Sequence, residues 1–366
     1  MTMHIGIAGA GLLGRLLAWR LASAGHRVAV YDPAAGPGGV LRSRAGDSYQ
    51  PTAAGFTAAG MLSPLAELDT VEPAVAALGW PSIELWQRIA AALPGAPFVA
   101  ARGSLMVAHR GDEGAARRVL DRLQAATATA EWRALSPAEG VQTLEPAALR
   151  ALEPAVQGPA QAWLLPGEGQ IDTGAMMAAL HGAATGAQWH WGQSVQTVDA
   201  GALTLADGRV LAFDAAIDVR GAGSRPQMPV RGVRGEVITL HAPGHGLQRA
   251  VRLLHPRHAV YIVPRPGDLV LVGASEIESE DRGPASLRSV VELLAAAHSV
   301  APALAEARIL GLDVNLRPAL PDNNPRTDHA PGLLRINGLY RHGWLLAPAL
   351  VDQALRENGW ASSGIA

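Results

Sequence analysis

Near its start the chain sets three glycines and an acid at a spacing that can hold a dinucleotide. Gly9-Ala10-Gly11-Leu12-Leu13-Gly14 follows an apolar run over residues 4–8, and Asp32 closes a second apolar run over 27–31. Gly9 permits a tight turn, and Gly11 lets the backbone approach a pyrophosphate with no side chain in the way. Gly14 lets the following helix pack on the strand. Amides at the helix start, around Leu12 and Leu13, can then face phosphate oxygens, and the Asp32 carboxylate can accept from a ribose hydroxyl. Residues 53–62 carry Ala59, Gly60 and Met61 in a row of small side chains, which allows close approach to something flat or bulky. The alternative there is the start of a tightly packed, alanine-rich helix. A second glycine turn, Arg220-Gly221-Ala222-Gly223, ends another apolar strand. Toward the C-terminus, Gly338-Leu339-Tyr340-Arg341-His342-Gly343 runs into an apolar helix through Trp344 and Leu345. The N-terminal end of such a helix carries positive partial charge and can stabilise an anionic ring edge.

Composition removes several chemistries. The chain of 366 residues has no cysteine, which excludes disulfides, thiolate metal sites, iron–sulfur clusters, cysteine nucleophiles and a cysteinyl flavin. All 30 basic residues are arginine, so a lysine Schiff base is excluded too. A formal net charge of −2 gives no general attraction to nucleic acid. No apolar run reaches membrane-spanning length, and a strand beginning by His4 leaves no room for a signal peptide, so the expected address is the cytoplasm. His241, His245, His255 and His258 are close in sequence, but their spacing matches no common metal signature, so no metal is expected.

These groups need a scaffold. The pattern of strands and helices predicts an α/β chain: a Rossmann-like nucleotide domain interleaved with an α+β substrate domain on an antiparallel sheet. The expected division assigns residues 1–75, 150–225 and 325–366 to the nucleotide domain, and 76–149 and 226–324 to the substrate domain. Helices are expected over 12–24, 82–93, 112–125, 174–184, 286–298 and 345–356. Strands are expected over 104–108, 194–198, 202–205, 215–219, 236–241, 259–264, 269–273, 309–317 and 333–337. Residues 135–154 read as a mixture of short helices and prolines.

Together the two helix entries resemble flavoproteins of the D-amino acid oxidase superfamily. Four further blocks make the resemblance specific: Ala-Ala-Gly-Met-Leu-Ser-Pro (58–64), Pro-Gly-Glu-Gly-Gln-Ile-Asp (166–172), Tyr-Ile-Val-Pro-Arg (261–265) and Arg-Pro-Ala-Leu-Pro-Asp-Asn (317–323). With Leu-Tyr-Arg-His-Gly at 339–343, the chain is similar over its whole length to glycine oxidases of the thiamine-biosynthesis type. The resemblance implies non-covalent FAD and oxidation of a small amino acid to its imine, with dioxygen reduced to hydrogen peroxide. A homo-oligomer and a thiazole-forming partner are compatible with it. It makes Arg317 the grip on the substrate carboxylate, with Tyr261 assisting and Arg341 near both substrate and flavin. Met61 and Glu276 would line the substrate pocket, and Val195 and Gly221 would flank the adenine. A bidentate guanidinium suits a planar carboxylate and would hold the α-carbon against the flavin.

The chain departs from the family in one stretch, residues 52–57, which is poorer in hydroxyl and basic side chains than usual, and in two residues. Asp32 stands where glutamate is more common, and Glu276 where an apolar residue often stands, which bears on amine recognition. Other readings stay open at this level. Arg317 could be a strand arginine paired with Asp313 or Asp322, Tyr261 a core aromatic, and His342 a packed turn histidine rather than a base. The whole could be a sarcosine or D-amino acid oxidase or dehydrogenase, a non-catalytic flavin-binding module, or an NAD(P)-dependent dehydrogenase.

Overall fold

A computed structural model describes residues 2–38, 52–136, 140–255 and 259–360. His258 falls outside them, as do residues 39–51. The first strand, His4–Ala8, pairs in parallel with Arg27–Asp32 on one side and Ala215–Asp218 on the other. Parallel Ala187–Trp191 and Leu333–Asn337 extend this sheet, and Arg326–Ala330 closes it as an antiparallel edge. Strands buried on both faces read as unbroken apolar runs, as Ile5, Ile7, Val28 and Val30 do. The helix Leu12–Ser23 leaves the first strand through the glycine turn and ends where Gly25 takes φ +84°.

The second layer is an eight-stranded sheet in the order Arg308–Ala319, Arg231–His241, Leu269–Gly273, Ala259–Arg265, Val251–Leu254, Ser104–Ala108, Gln161–Leu165, Gln142–Leu144. Every pair is antiparallel except Val251–Leu254 with Ser104–Ala108. Gln161–Leu165, expected with the nucleotide part, pairs instead with Ser104–Ala108 and belongs to this sheet. The mixed region 135–154 likewise supplies an edge strand, Gln142–Leu144, before its helix Pro146–Leu152. The strands Ala187–Trp191, Val210–Ala212, Val251–Leu254 and Arg326–Ala330 were not expected from sequence.

The helix Gly343–Glu357 carries Pro348, which has no N–H for the carbonyl of Trp344. That carbonyl accepts instead from Trp86 Nε1 at 2.7 Å, on the helix Gly79–Ala92 packed alongside. Trp344 in turn donates its own Nε1 to the carbonyl of Gly55 at 3.0 Å. The C-terminal helix is thereby tied at its first turn to both the core and the small-residue segment.

Candidate active site

One cavity of about 520 Å³ runs between the two layers. At one end it is lined by Gly9, Gly11, Leu12, Leu13, Asp32, Val195 and Gly221. At the other are Met61, Tyr261, Glu276, Arg317 and Arg341, with His342, Gly343, Trp344 and Leu345 at the start of the C-terminal helix. Ala59 and Gly60 line it as well. Of the candidate cofactor and substrate residues, Gly14 alone lies off it, and since a Cβ there would run into the Gly9 carbonyl its task is helix–strand packing.

The three glycines of the turn differ in why they must be glycine. Gly9 has φ +105°, where L side chains are strained. Gly11 has φ −71°, and a Cβ there would meet only the Ala53 methyl at 3.5 Å, an ordinary contact. Among the described residues nothing requires glycine at 11, which leaves its space open to an occupant of the cavity. Asp32 is already engaged, its two oxygens accepting from the amides of Ala10 (2.7 Å) and Ala34 (2.8 Å). A carboxylate has lone pairs left for a third donor.

Two arginines missed on sequence stiffen this end. Arg220 forms a fork with fully buried Asp218 and donates to the carbonyls of Val195 (2.8 Å) and Gln196 (2.9 Å). Arg15, buried on the first helix, donates to the carbonyls of Ala10, Met177 and Pro37, and burial lowers its pKa to about 10. Asn315, also missed, donates to the carbonyl of Thr52 (3.1 Å) and to Thr57 Oγ1 (3.0 Å), holding the small-residue segment against the large sheet.

At the other end the large sheet presents two polar side chains laid flat. Tyr261 sits directly opposite Gly273, and a Cβ on that glycine would fall 2.7–2.8 Å from the phenol ring. Arg317 lies diagonally over Gly235, where a Cβ would collide with its guanidinium. Nη1 of Arg317 donates to the carbonyls of Ser275 (3.1 Å) and Arg234 (3.3 Å). No carboxylate pairs with Arg317 among the described residues, so the pairing with Asp313 or Asp322 is not formed. Burial raises the Tyr261 pKa, and the nearby cations of Arg317, Arg341 and Arg252 pull against it. The phenol is a neutral hydrogen-bonding group there.

Arg341 stands differently. Its Nη1 pairs with Glu276 Oε2 at 3.0 Å and its Nη2 with Glu67 Oε2 at 3.3 Å. Glu276, expected to line the substrate pocket, faces the cavity, and its Oε1 accepts from Tyr340 at 2.5 Å. Glu67 is a hub that sequence reasoning missed, since nothing local marks it. Arg252 Nη2 lies 2.9 Å from its Oε1 and His342 Nδ1 3.1 Å from its Oε2. Burial alone would raise the Glu67 pKa, but His342, Arg341 and Arg252 hold it well below the usual range. Burial likewise opposes charge on Arg341, and Glu67 and Glu276 outweigh it and keep it protonated. Among the described residues no cluster of His, Asp and Glu could hold a metal ion, and no helix is long and apolar enough to cross a membrane.

A glycine-turn nucleotide fold opening across one cavity onto an antiparallel sheet defines the class. Residues 4–352 match the family of FAD dependent oxidoreductases, and the chain belongs to it. Among its relatives, the proposed thiamine biosynthesis oxidoreductase ThiO of Rhizobium etli is 38% identical over 97% of this chain and 96% of its own length. The glycine oxidase of Geobacillus kaustophilus is 27% identical over 94% of this chain and 89% of its own. The crystal structure of that glycine oxidase matches with a TM-score of 0.78 at 26% identity, covering 98% of this chain and 95% of the other. The cavity fits FAD: the open cradle at Gly11 faces the first helix N-terminus, and the second helix start lies at the far end.

Proposed function

We propose that this FAD-dependent enzyme oxidises a small amino acid of the glycine class to its imine, with dioxygen as the final acceptor. The reading rests on one observation above the others. Arg317 projects into the cavity that also carries the glycine cradle a guanidinium that no carboxylate of the described residues pairs with, and its place is kept open by a glycine on the neighbouring strand. The substrate carboxylate would lie across Arg317, with the Tyr261 hydroxyl as a further donor. The pyrophosphate would lie over Gly9, Gly11 and the helix start at Leu12 and Leu13, and Asp32 would hold the ribose. Val195 and Gly221 would flank the adenine. Ala59, Gly60 and residues 342–345 would bound the ring system, beside the positive end of the C-terminal helix.

Bound flavin supplies the two-electron acceptor for the α C–H bond, and its reoxidation by dioxygen would release hydrogen peroxide. The chain's own residues orient and desolvate. Two carbonyls fix the Arg317 fork, the fork fixes the carboxylate, and the α-carbon is held at one height. A substrate bound with its amine unprotonated needs no protein base. The names of the relatives support a thiamine-related amine, and we take supply of the imine to thiazole formation as its place in metabolism.

The test is a panel of glycine, sarcosine, small D-amino acids and methylamine, with peroxide and imine product measured. The carboxylates should be turned over with one peroxide per imine, and methylamine at least a hundredfold less efficiently. Equal efficiency on glycine and methylamine would remove the carboxylate grip from the reading.

A further inference from the structure

We infer that Glu276 restricts the pocket to amino acids with a single carboxylate, by occupying the guanidinium that would otherwise take a second one. The inference rests on the carboxylate grip at Arg317 and concerns its neighbour. At the inner end of the cavity stand three guanidinium groups, those of Arg252, Arg317 and Arg341. Two carboxylates face them, Glu67 and Glu276. Arg282 also lines the cavity, and the nearby Glu280 carboxylate is itself forked with Arg225 at 2.9 and 3.1 Å. Arg252 is held by Glu67, and Arg341 is held by Glu67 and Glu276 together. Of the three, Arg317 is the one that no carboxylate of the described residues holds, so it is the one that receives the substrate carboxylate, and a second carboxylate would have to reach Arg341.

Glu276 is the adjustable member of the set. Glu67 is largely buried and shared among Arg252, Arg341 and His342, whereas the Glu276 side chain is 44% exposed and holds only Arg341 and the Tyr340 hydroxyl. A second carboxylate reaching toward Arg341 would meet Glu276 first. It would have to displace a 3.0 Å ion pair and suffer repulsion from the displaced anion. Replacing Glu276 by an uncharged residue removes that repulsion and frees Nη1 of Arg341, while Glu67 still holds Nη2. The pocket then carries two cationic positions facing the same space. Specificity of this kind comes from a group that repels the wrong ligand as much as from one that attracts the right one.

The measurement uses the FAD-loaded enzyme and two carboxylates that lack an amine, so that binding is read without turnover. Methoxyacetate carries one carboxylate and diglycolate two, on otherwise similar chains. Their dissociation constants are measured by calorimetry at fixed ionic strength for wild type, Glu276→Gln and Glu276→Met. The Kd ratio, methoxyacetate over diglycolate, should rise at least fivefold in both variants, and kcat/KM for D-aspartate relative to glycine should rise with it. A smaller change in the binding ratio, or an equal gain for both ligands, overturns the inference. Retained flavin absorbance in both variants ensures that the comparison is between folded, loaded enzymes. If wild type binds neither carboxylate, the grip at Arg317 is itself wrong and the inference falls with it. Binding of methoxyacetate with an unchanged ratio removes the role of Glu276 alone.

Discussion

Arg317 and Tyr261 owe their positions to residues that have no side chain. Gly235 and Gly273 are flat places on neighbouring strands over which a guanidinium and a phenol can lie. Gly235→Ala should therefore act on the substrate while leaving the cofactor alone. Its Cβ would occupy the space of the guanidinium, and rotating Arg317 away breaks the bonds to Ser275 and Arg234. Losing one charge-assisted bond to the substrate at about 1.5–3 kcal/mol predicts a fall in kcat/KM of roughly ten- to 150-fold, with flavin content at wild-type level. Steady-state kinetics beside the visible spectrum checks it; unchanged kinetics would mean that Arg317 does not touch substrate. The sequence carried this site unevenly. The glycine turn is local, so Gly9, Gly11 and Gly14 could be read from spacing alone. The grip at Arg317 and Tyr261 was reached through a family resemblance, because the pair is brought together by strand register across residues far apart in the chain. Glu67 had no local sign at all: its partners Arg252, Arg341 and His342 lie more than 180 positions away in sequence.

At the scale of elements, a buried carboxylate at the junction of the layers gives a pH-dependent prediction. Glu168 follows the turn after Gln161–Leu165, accepts from the Ala66 amide at 2.9 Å and from Ser104 Oγ at 2.5 Å, and is fully buried. Burial pushes its pKa up to about 7, against the pull of those two bonds. A carboxyl with a raised folded pKa binds more protons folded than unfolded, so it penalises folding as pH rises from its unfolded value, 4.5, to about 7. The penalty is complete above that and is on the order of 3 kcal/mol. Glu168→Gln keeps an acceptor for the Ala66 amide and a polar group for Ser104 without the charge. Relative to wild type, its unfolding midpoint should rise between pH 5 and pH 8; a difference that stays flat would show that Glu168 does not titrate there. Element boundaries were mostly legible, since Ser286 caps the helix Leu287–Val300 and Asp172 caps Thr173–Ala183 as their side chains suggest. The strands missed are short or mixed in pattern. Ala187–Trp191 alternates alanine, glutamine and histidine with tryptophan and gains its identity only by pairing with Arg27–Asp32.

At the scale of the molecule, the proposed FAD cradle and the proposed carboxylate grip belong to different layers, and the cavity is where they meet. Asn315 and Trp344 bridge that meeting by donating to the Thr52 and Gly55 carbonyls of the small-residue segment. The alternation of strand types made the two layers legible, but the membership of Gln161–Leu165 was not, because pairing partners are set by tertiary contacts. Cofactor binding should stabilise the whole by mass action: at a free concentration a hundredfold above Kd the gain is about 2.7 kcal/mol. Gly11→Val tests the proposed cradle, since a Cβ at this position meets only the Ala53 methyl among the described residues, and the side chain would fill the space assigned to the pyrophosphate. That variant should fold but purify colourless, and added FAD should no longer raise its melting temperature. A full complement of flavin in it would place the pyrophosphate elsewhere. The central claim is that one cavity joins a flavin to a cation reserved for the substrate carboxylate. Its most direct test is a paired measurement of flavin occupancy and glycine kinetics on Arg317→Lys and Arg317→Ala. The account predicts near-complete flavin in both, a roughly ten- to several-hundredfold loss of kcat/KM in the lysine variant, and a deeper loss in the alanine variant. Activity within about twofold of wild type in Arg317→Ala, a change worth under about 0.5 kcal/mol, would contradict it.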